Sequence, residues 1–144
     1  MTRLSLQIQV DPAAGALPAD RRQIRRWATA ALSADAELVL RFVGGDEGRA
    51  LNRQFRGRDR PTNVLTFDYE RDPLVRADIV ICLPVLRAEA AARAWPARDH
   101  LAHLVVHGVL HAQGHDHEDE ADAQRMESIE TAILKRFGIG DPYA

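Results

Sequence analysis

Two histidines four residues apart, followed by a third across a glycine, constrain this 144-residue chain more than any other feature. His107 and His111 stand at helical spacing, so both imidazoles project from one face about one turn apart. Gly114 then permits a sharp reversal of the chain, and His117 follows six residues after His111. The pattern H-x3-H-x5-H predicts a helix ending at Gly114, near the C-terminus, with three imidazoles converging on one metal ion. All six histidines of the chain lie between His100 and His117, and Leu101, Leu104, Val105, Val106, Val109 and Leu110 make their helix apolar almost all round. Such a helix is buried, and clustered imidazoles in a dry site require partners that a shared cation provides.

The spacing and the glycine match the H-E-x-x-H-x-x-G-x-x-H zinc-peptidase signature, with one difference of consequence. The residue after the first histidine is Gly108, where peptidases place the glutamate that acts as general base. The metal cage is retained and the proteolytic base is absent. Three neutral protein ligands leave a fourth position open, as in catalytic rather than structural zinc sites. His115 competes with His117 for the third position, although three residues past the glycine favours His117. His103, one turn before His107, reads equally well as a residue supporting the site, as one facing substrate, or as a hydrogen-bonded core histidine. Asp116 either orients a ligand or caps the last helix, and His100 reads as polar surface.

The rest of the chain reads as one α+β domain over residues 1–144, built on a mixed sheet of about four strands packed with helices. Leu4, Leu6, Ile8 and Val10 alternate with polar residues, as do Leu38, Leu40 and Phe42, which is the period of half-buried strands. Val64–Tyr69 and Ile79–Cys82 supply two more, separated by a polar loop around Asp72-Pro73. Helices are expected after Asp20, between Gly45 and Gly57, from Pro84 to Ala94, over Leu101–Ala112, and from the acidic run Glu118–Glu120 to Gly138. The single cysteine, Cys82, excludes an intrachain disulfide, and no apolar run approaches a membrane span, so a cytoplasmic protein without membrane contact is expected.

Charge is distributed unevenly along the chain. Residues 1–76 carry 13 basic and 10 acidic side chains, residues 77–144 carry 6 and 11, and the sharpest basic excess is Arg49, Arg53, Arg56, Arg58 and Arg60. Arginine's planar fork suits phosphate, although a solvated surface accounts for Arg56 as well from the residues alone.

His107-Gly108-Val109-Leu110-His111-Ala112-Gln113-Gly114-His115-Asp116-His117 resembles the signature of the YbeY family of metal-dependent single-strand endoribonucleases of ribosomal RNA maturation. Phe55-Arg56-Gly57-Arg58-Asp59-Arg60-Pro61-Thr62-Asn63-Val64-Leu65-Thr66-Phe67 resembles that family's arginine-glycine loop and following strand, and Ala77–Cys82 its acidic-start strand. Thr66 in place of a serine, Asp68 in place of a proline, Ala77 for a glycine and Ala112 for a leucine are the departures, and none falls on a candidate ligand. The resemblance implies one Zn2+ held by His107, His111 and His117, with Arg56 as the functional arginine. Arg53, Arg58 and Arg60 would track the RNA backbone. It further implies action on single-stranded rRNA in late 16S 3′-end maturation and ribosome quality control. The implied partners are the small ribosomal subunit, its proteins and a ribosome-associated GTPase. Without a glutamate at 108, the nucleophile is either a metal-activated water or the substrate's own 2′-hydroxyl. A metallopeptidase-like hydrolase and a non-catalytic, zinc-containing ribosome assembly factor are the competing readings.

Overall fold

The structure is a computed structural model that describes residues 2–58, 62–116 and 118–144. Four strands form one sheet: β1 (Leu4–Val10), β2 (Ala36–Val43), β3 (Val64–Glu70) and β4 (Val75–Cys82), in the spatial order β1-β2-β4-β3. β1, β2 and β4 run parallel, and β3 pairs antiparallel with β4 as an edge strand. The expected mixed four-stranded sheet is therefore present. Among the described residues there are five α-helices, α1 (Arg21–Ala30), α2 (Gly45–Arg56), α3 (Leu83–Ala92), α4 (Ala97–Ala112) and α5 (Glu120–Arg136). None is long and apolar enough to cross a membrane.

Register explains the two faces of the sheet. Leu6 pairs with Leu38, Leu38 with Ala77, and Ile79 with Thr66, so these side chains share the face on which α1 and α4 pack. The main core lies there, with Trp27 of α1, Leu40 and Phe42 of β2, Ile79 and Ile81 of β4, and Leu101, Val105 and Val109 of α4. A smaller cluster on the opposite face joins Val43, Leu65, Val80 and Cys82 to Leu51 of α2 and Phe67 of β3. Helix starts follow local chemistry. Asp20 Oδ1 accepts from the Gln23 amide at 2.7 Å, and Asp119 Oδ1 accepts from the Asp122 amide at 2.7 Å. Gly57, with φ of 69°, and Gly114, with φ of 96°, occupy the left-handed region where α2 and α4 end, as the sequence predicts.

Three expectations need correction. β4 begins at Val75 rather than Ile79, because Val75 and Ala77 face the core while Arg76 and Asp78 face outward, and the strand pairs with β2 along its full length. The polar half of the alternation reads as loop when only apolar runs are counted. α4 starts at Ala97 behind Pro96, four residues earlier than Leu101, since a charged first turn Arg98-Asp99-His100 is tolerated where backbone amides already seek acceptors. His100 is not surface. It is 4% exposed, and its Nε2 lies 2.9 Å from Glu89 Oε1 of α3.

Candidate metal centre

α4 is the helix on which the site is built. Its backbone lies so close to the sheet that a Cβ on Gly108 would stand 2.8 Å from Ile79 Cγ2 and 3.6 Å from Thr66 Oγ1. Gly108 is thus a packing requirement, and the same contact leaves no room for a glutamate at that position. His107 and His111 flank this contact point, and their Nε2 atoms approach to 3.0 Å. Two ring nitrogens each about 2.0–2.1 Å from a common ion lie about this far apart, so the pair fits a shared cation.

A buried carboxylate sets the chemistry of these rings. Glu130 of α5 is fully buried, with Oε1 2.8 Å from His107 Nδ1 and Oε2 2.7 Å from His103 Nε2. The Tyr143 hydroxyl is 2.6 Å from the same Oε2. Burial alone would push the Glu130 carboxyl up, but hydrogen bonds from His103 and His107, the electrostatic attraction of His107 and the Tyr143 hydrogen bond together outweigh it and hold the group at about 2. Glu130 is therefore a carboxylate, which accepts and cannot donate. In the neutral form of His107 the hydrogen consequently belongs on Nδ1, and Nε2 presents a lone pair toward His111.

His103, His107 and Glu130 themselves form a group able to hold a metal ion, their ligand atoms lying within 4.8 Å of one another. The two donor sets share His107 and differ in access. His107 and His111 line a cavity of about 460 Å³ together with Arg56, Thr66, Asp68 and Arg71. His103 and Glu130 stand behind that wall, where Glu130 already accepts three hydrogen bonds. The open set is the one a substrate can reach.

The cavity collects much of what the sequence singled out. Arg56, at the end of α2, is on its wall, as are His115 and Asp116 just beyond α4. Arg56 also lines an adjoining cavity of about 240 Å³ with Arg58, Asn63 and Glu89. Arg53 is exposed on α2 and lines neither. His117 and Arg60 lie outside the described residues. His103 is a buried, hydrogen-bonded residue behind the site rather than a substrate-facing one. Sequence reasoning missed Glu130 and Tyr143. Glu130 carried a signal: it falls on the stripe of Met126, Ile133 and Leu134 that α5 buries, and an acid there needs a partner. Tyr143, in a short segment after the last helix, carried none.

A family model described as Endoribonuclease YbeY matches residues 15–138. The chain belongs to the YbeY family. Two relatives, each named Endoribonuclease YbeY, show the extent of the likeness. The one from Methylibium petroleiphilum is 52% identical over 141 residues, covering 98% of this chain and 95% of its own. The one from Acidovorax sp. is 52% identical over 144 residues, with the same coverage of each chain. Among solved structures, the solution structure of a Thermotoga maritima protein superposes with a TM-score of 0.59 at 26% identity, covering 96% of this chain and 92% of that one. The YbeY match spans α4, Arg56 and Glu130 alike, whereas Tyr143 lies beyond its last matched residue.

Proposed function

We propose that this YbeY-family chain is a metal-dependent endoribonuclease acting on single-stranded RNA, with one Zn2+ held by His107, His111 and His117. The observation that carries the reading is the pair of Nε2 atoms 3.0 Å apart on the wall of a cavity that also contains Arg56. When bound there, the ion supplies Lewis-acid polarisation of a phosphoryl oxygen and positive charge against the negative charge that develops during cleavage. Arg56 would offer its guanidinium fork to the phosphate, offsetting negative charge on the non-bridging oxygens. Glu130 keeps His107 in the tautomer that directs Nε2 into the cavity. Arg58, in the adjoining cavity, and Arg53 and Arg60 hold the RNA backbone by charge.

The substrate we assign is ribosomal RNA, in late maturation of the 16S 3′ end and in ribosome quality control, in the cytoplasm. Proteins of the small ribosomal subunit and a ribosome-associated GTPase are the partners. The names of the curated relatives support the endoribonuclease activity. Gly108 weighs against a peptidase, since the position of the peptidase base is filled by Ile79. Incubating zinc-loaded protein separately with single-stranded RNA and with a generic peptide library tests the assignment. Zinc-dependent cleavage of RNA alone is expected, and cleavage of peptides with RNA left intact would refute it. A non-catalytic assembly factor predicts that neither is cut.

A further inference from the structure

The segment that follows α5 reaches back to the metal centre. Ile139 is buried, the Arg93 guanidinium donates to the Pro142 carbonyl at 2.6 Å, and the Tyr143 amide donates to Asp141 Oδ1 at 2.8 Å. This fastening places the Tyr143 ring edge-on to His103, centroids 5.4 Å apart, with its hydroxyl 2.6 Å from Glu130 Oε2 and 3.1 Å from His103 Nε2. Tyr143 as a whole is 44% exposed, so burying the ring is not the main purpose of the arrangement.

The hydrogen count around Glu130 decides what the hydroxyl does. Among the described residues the buried His103 Nδ1 has no hydrogen-bond partner, so a hydrogen there would be left unsatisfied, and in its neutral form the ring carries its hydrogen on Nε2. Oε2 therefore accepts from both His103 and Tyr143, and Oε1 remains for the Nδ1 hydrogen of His107. We infer that Tyr143 is a positioning residue: its hydroxyl, with His103, saturates one oxygen of Glu130 and so fixes the other on His107, holding the His107 Nε2 lone pair in the cavity. Without the hydroxyl, Oε2 keeps one protein donor in a dry site. The carboxylate can then rotate or draw in water, and the aim of His107 loosens. Partners of ligand histidines commonly change metal affinity by about 10–100-fold when removed. Tyr143 acts through Glu130, one bond further out, so the lower end applies.

The inference rests on His107 and His111 holding the metal, and the experiment separates the two. Zinc affinity of the full chain is measured by competition with a chelator, for the wild type and for Tyr143→Phe, which keeps the ring against His103 and removes only the hydroxyl. Side-chain 15N shifts of His107 are recorded in the metal-free proteins. The expected result is about tenfold weaker zinc binding in Tyr143→Phe, with a His107 signal moved from the Nδ1-protonated form toward a mixture of tautomers. Glu130→Gln, which removes the charge itself, should show the same change more strongly. A wild type that binds no zinc would overturn the metal assignment and this inference with it. Zinc affinity in Tyr143→Phe within twofold of a zinc-binding wild type would overturn the inference alone. That holds even if the melting temperature fell, because the hydroxyl would then serve only to fasten the segment.

Discussion

Replacing Gly108 by alanine tests whether the close approach of α4 to the sheet is what excludes a side chain there. The added methyl would lie 2.8 Å from Ile79 Cγ2, inside contact distance, and Ile79 is fully buried between β2 and the edge strand β3. A β-branched side chain has little rotamer freedom with which to yield, so relief requires α4 to move from the sheet. Overpacking of this kind costs about 1–3 kcal/mol, and the stiffness of Ile79 argues for the upper half. Alanine in place of glycine inside a helix returns about 1 kcal/mol. The net expectation is a loss of about 1–2 kcal/mol, read as a lower urea midpoint at unchanged slope in metal-free protein. Ile79→Ala alone should cost about 2–5 kcal/mol. In the Gly108→Ala background it should cost at least about 1 kcal/mol less, because the new methyl occupies part of the space vacated. A Gly108→Ala protein as stable as the wild type, with additive effects in the double variant, would refute the packing argument. The absence of a peptidase base would then lose its structural explanation.

Arg56→Ala should keep fold and zinc content yet lower RNA cleavage by about 10²–10³-fold, as removal of one group stabilising transition-state charge does; normal 16S 3′ ends in cells carrying only that variant would contradict its role. His107→Ala and His111→Ala should each lose zinc and RNA processing together, and stoichiometric zinc by elemental analysis in either would defeat the ligand assignment. Acid should destabilise the metal-free protein through Glu130, whose carboxyl is held at about 2 against an ordinary 4.5. A depressed carboxyl contributes stability that is complete above the unfolded value and is lost as pH falls from about 4.5 toward about 2, up to about 3 kcal/mol here. Urea midpoints of wild type and Glu130→Gln should therefore converge over that interval, and parallel curves would show that the carboxylate is not held in this way.

How much of this could be read beforehand depends on how local each signal is. β1 was legible because Leu4, Leu6, Ile8 and Val10 alternate without interruption, and the ends of α2 and α4 because Gly57 and Gly114 adopt backbone angles that other residues resist. The first half of β4 was not, since Arg76 and Asp78 advertise solvent until β2 is known to lie alongside. Arg56 could be named from a motif, but its place on the same cavity wall as His107 follows from the packing of α2 and α4 around the edge strand. Glu130 and Tyr143 come from segments 23 and 36 residues beyond His107, and only the crossing of α4 and α5 brings the first to it. Sequence spacing finds candidate ligands on one helix, and it does not find the groups that orient them from another.

The histidine stripe of α4 shows why that second layer matters. His100, His103, His107 and His111 follow one another at three or four residues, and neighbouring rings stand 6.0, 5.9 and 4.5 Å apart. By their spacing to one another, leaving Gly114 and His117 aside, the four are equivalent. Burial separates them: His100 and His103 are 4% and 8% exposed, whereas His107 and His111 are partly exposed at the cavity. An imidazole in a dry environment gains most from a carboxylate, and His100 and His103 have Glu89 and Glu130 respectively. Burial lowers the pKa of His100 despite Glu89, so that ring is held neutral and serves as a hydrogen-bonding strut. His107 is the point of transition, with one nitrogen on Glu130 and the other facing His111. A metal ion needs that combination of an anchored ring and an accessible lone pair, and only where the stripe passes from the core into the cavity does α4 provide both.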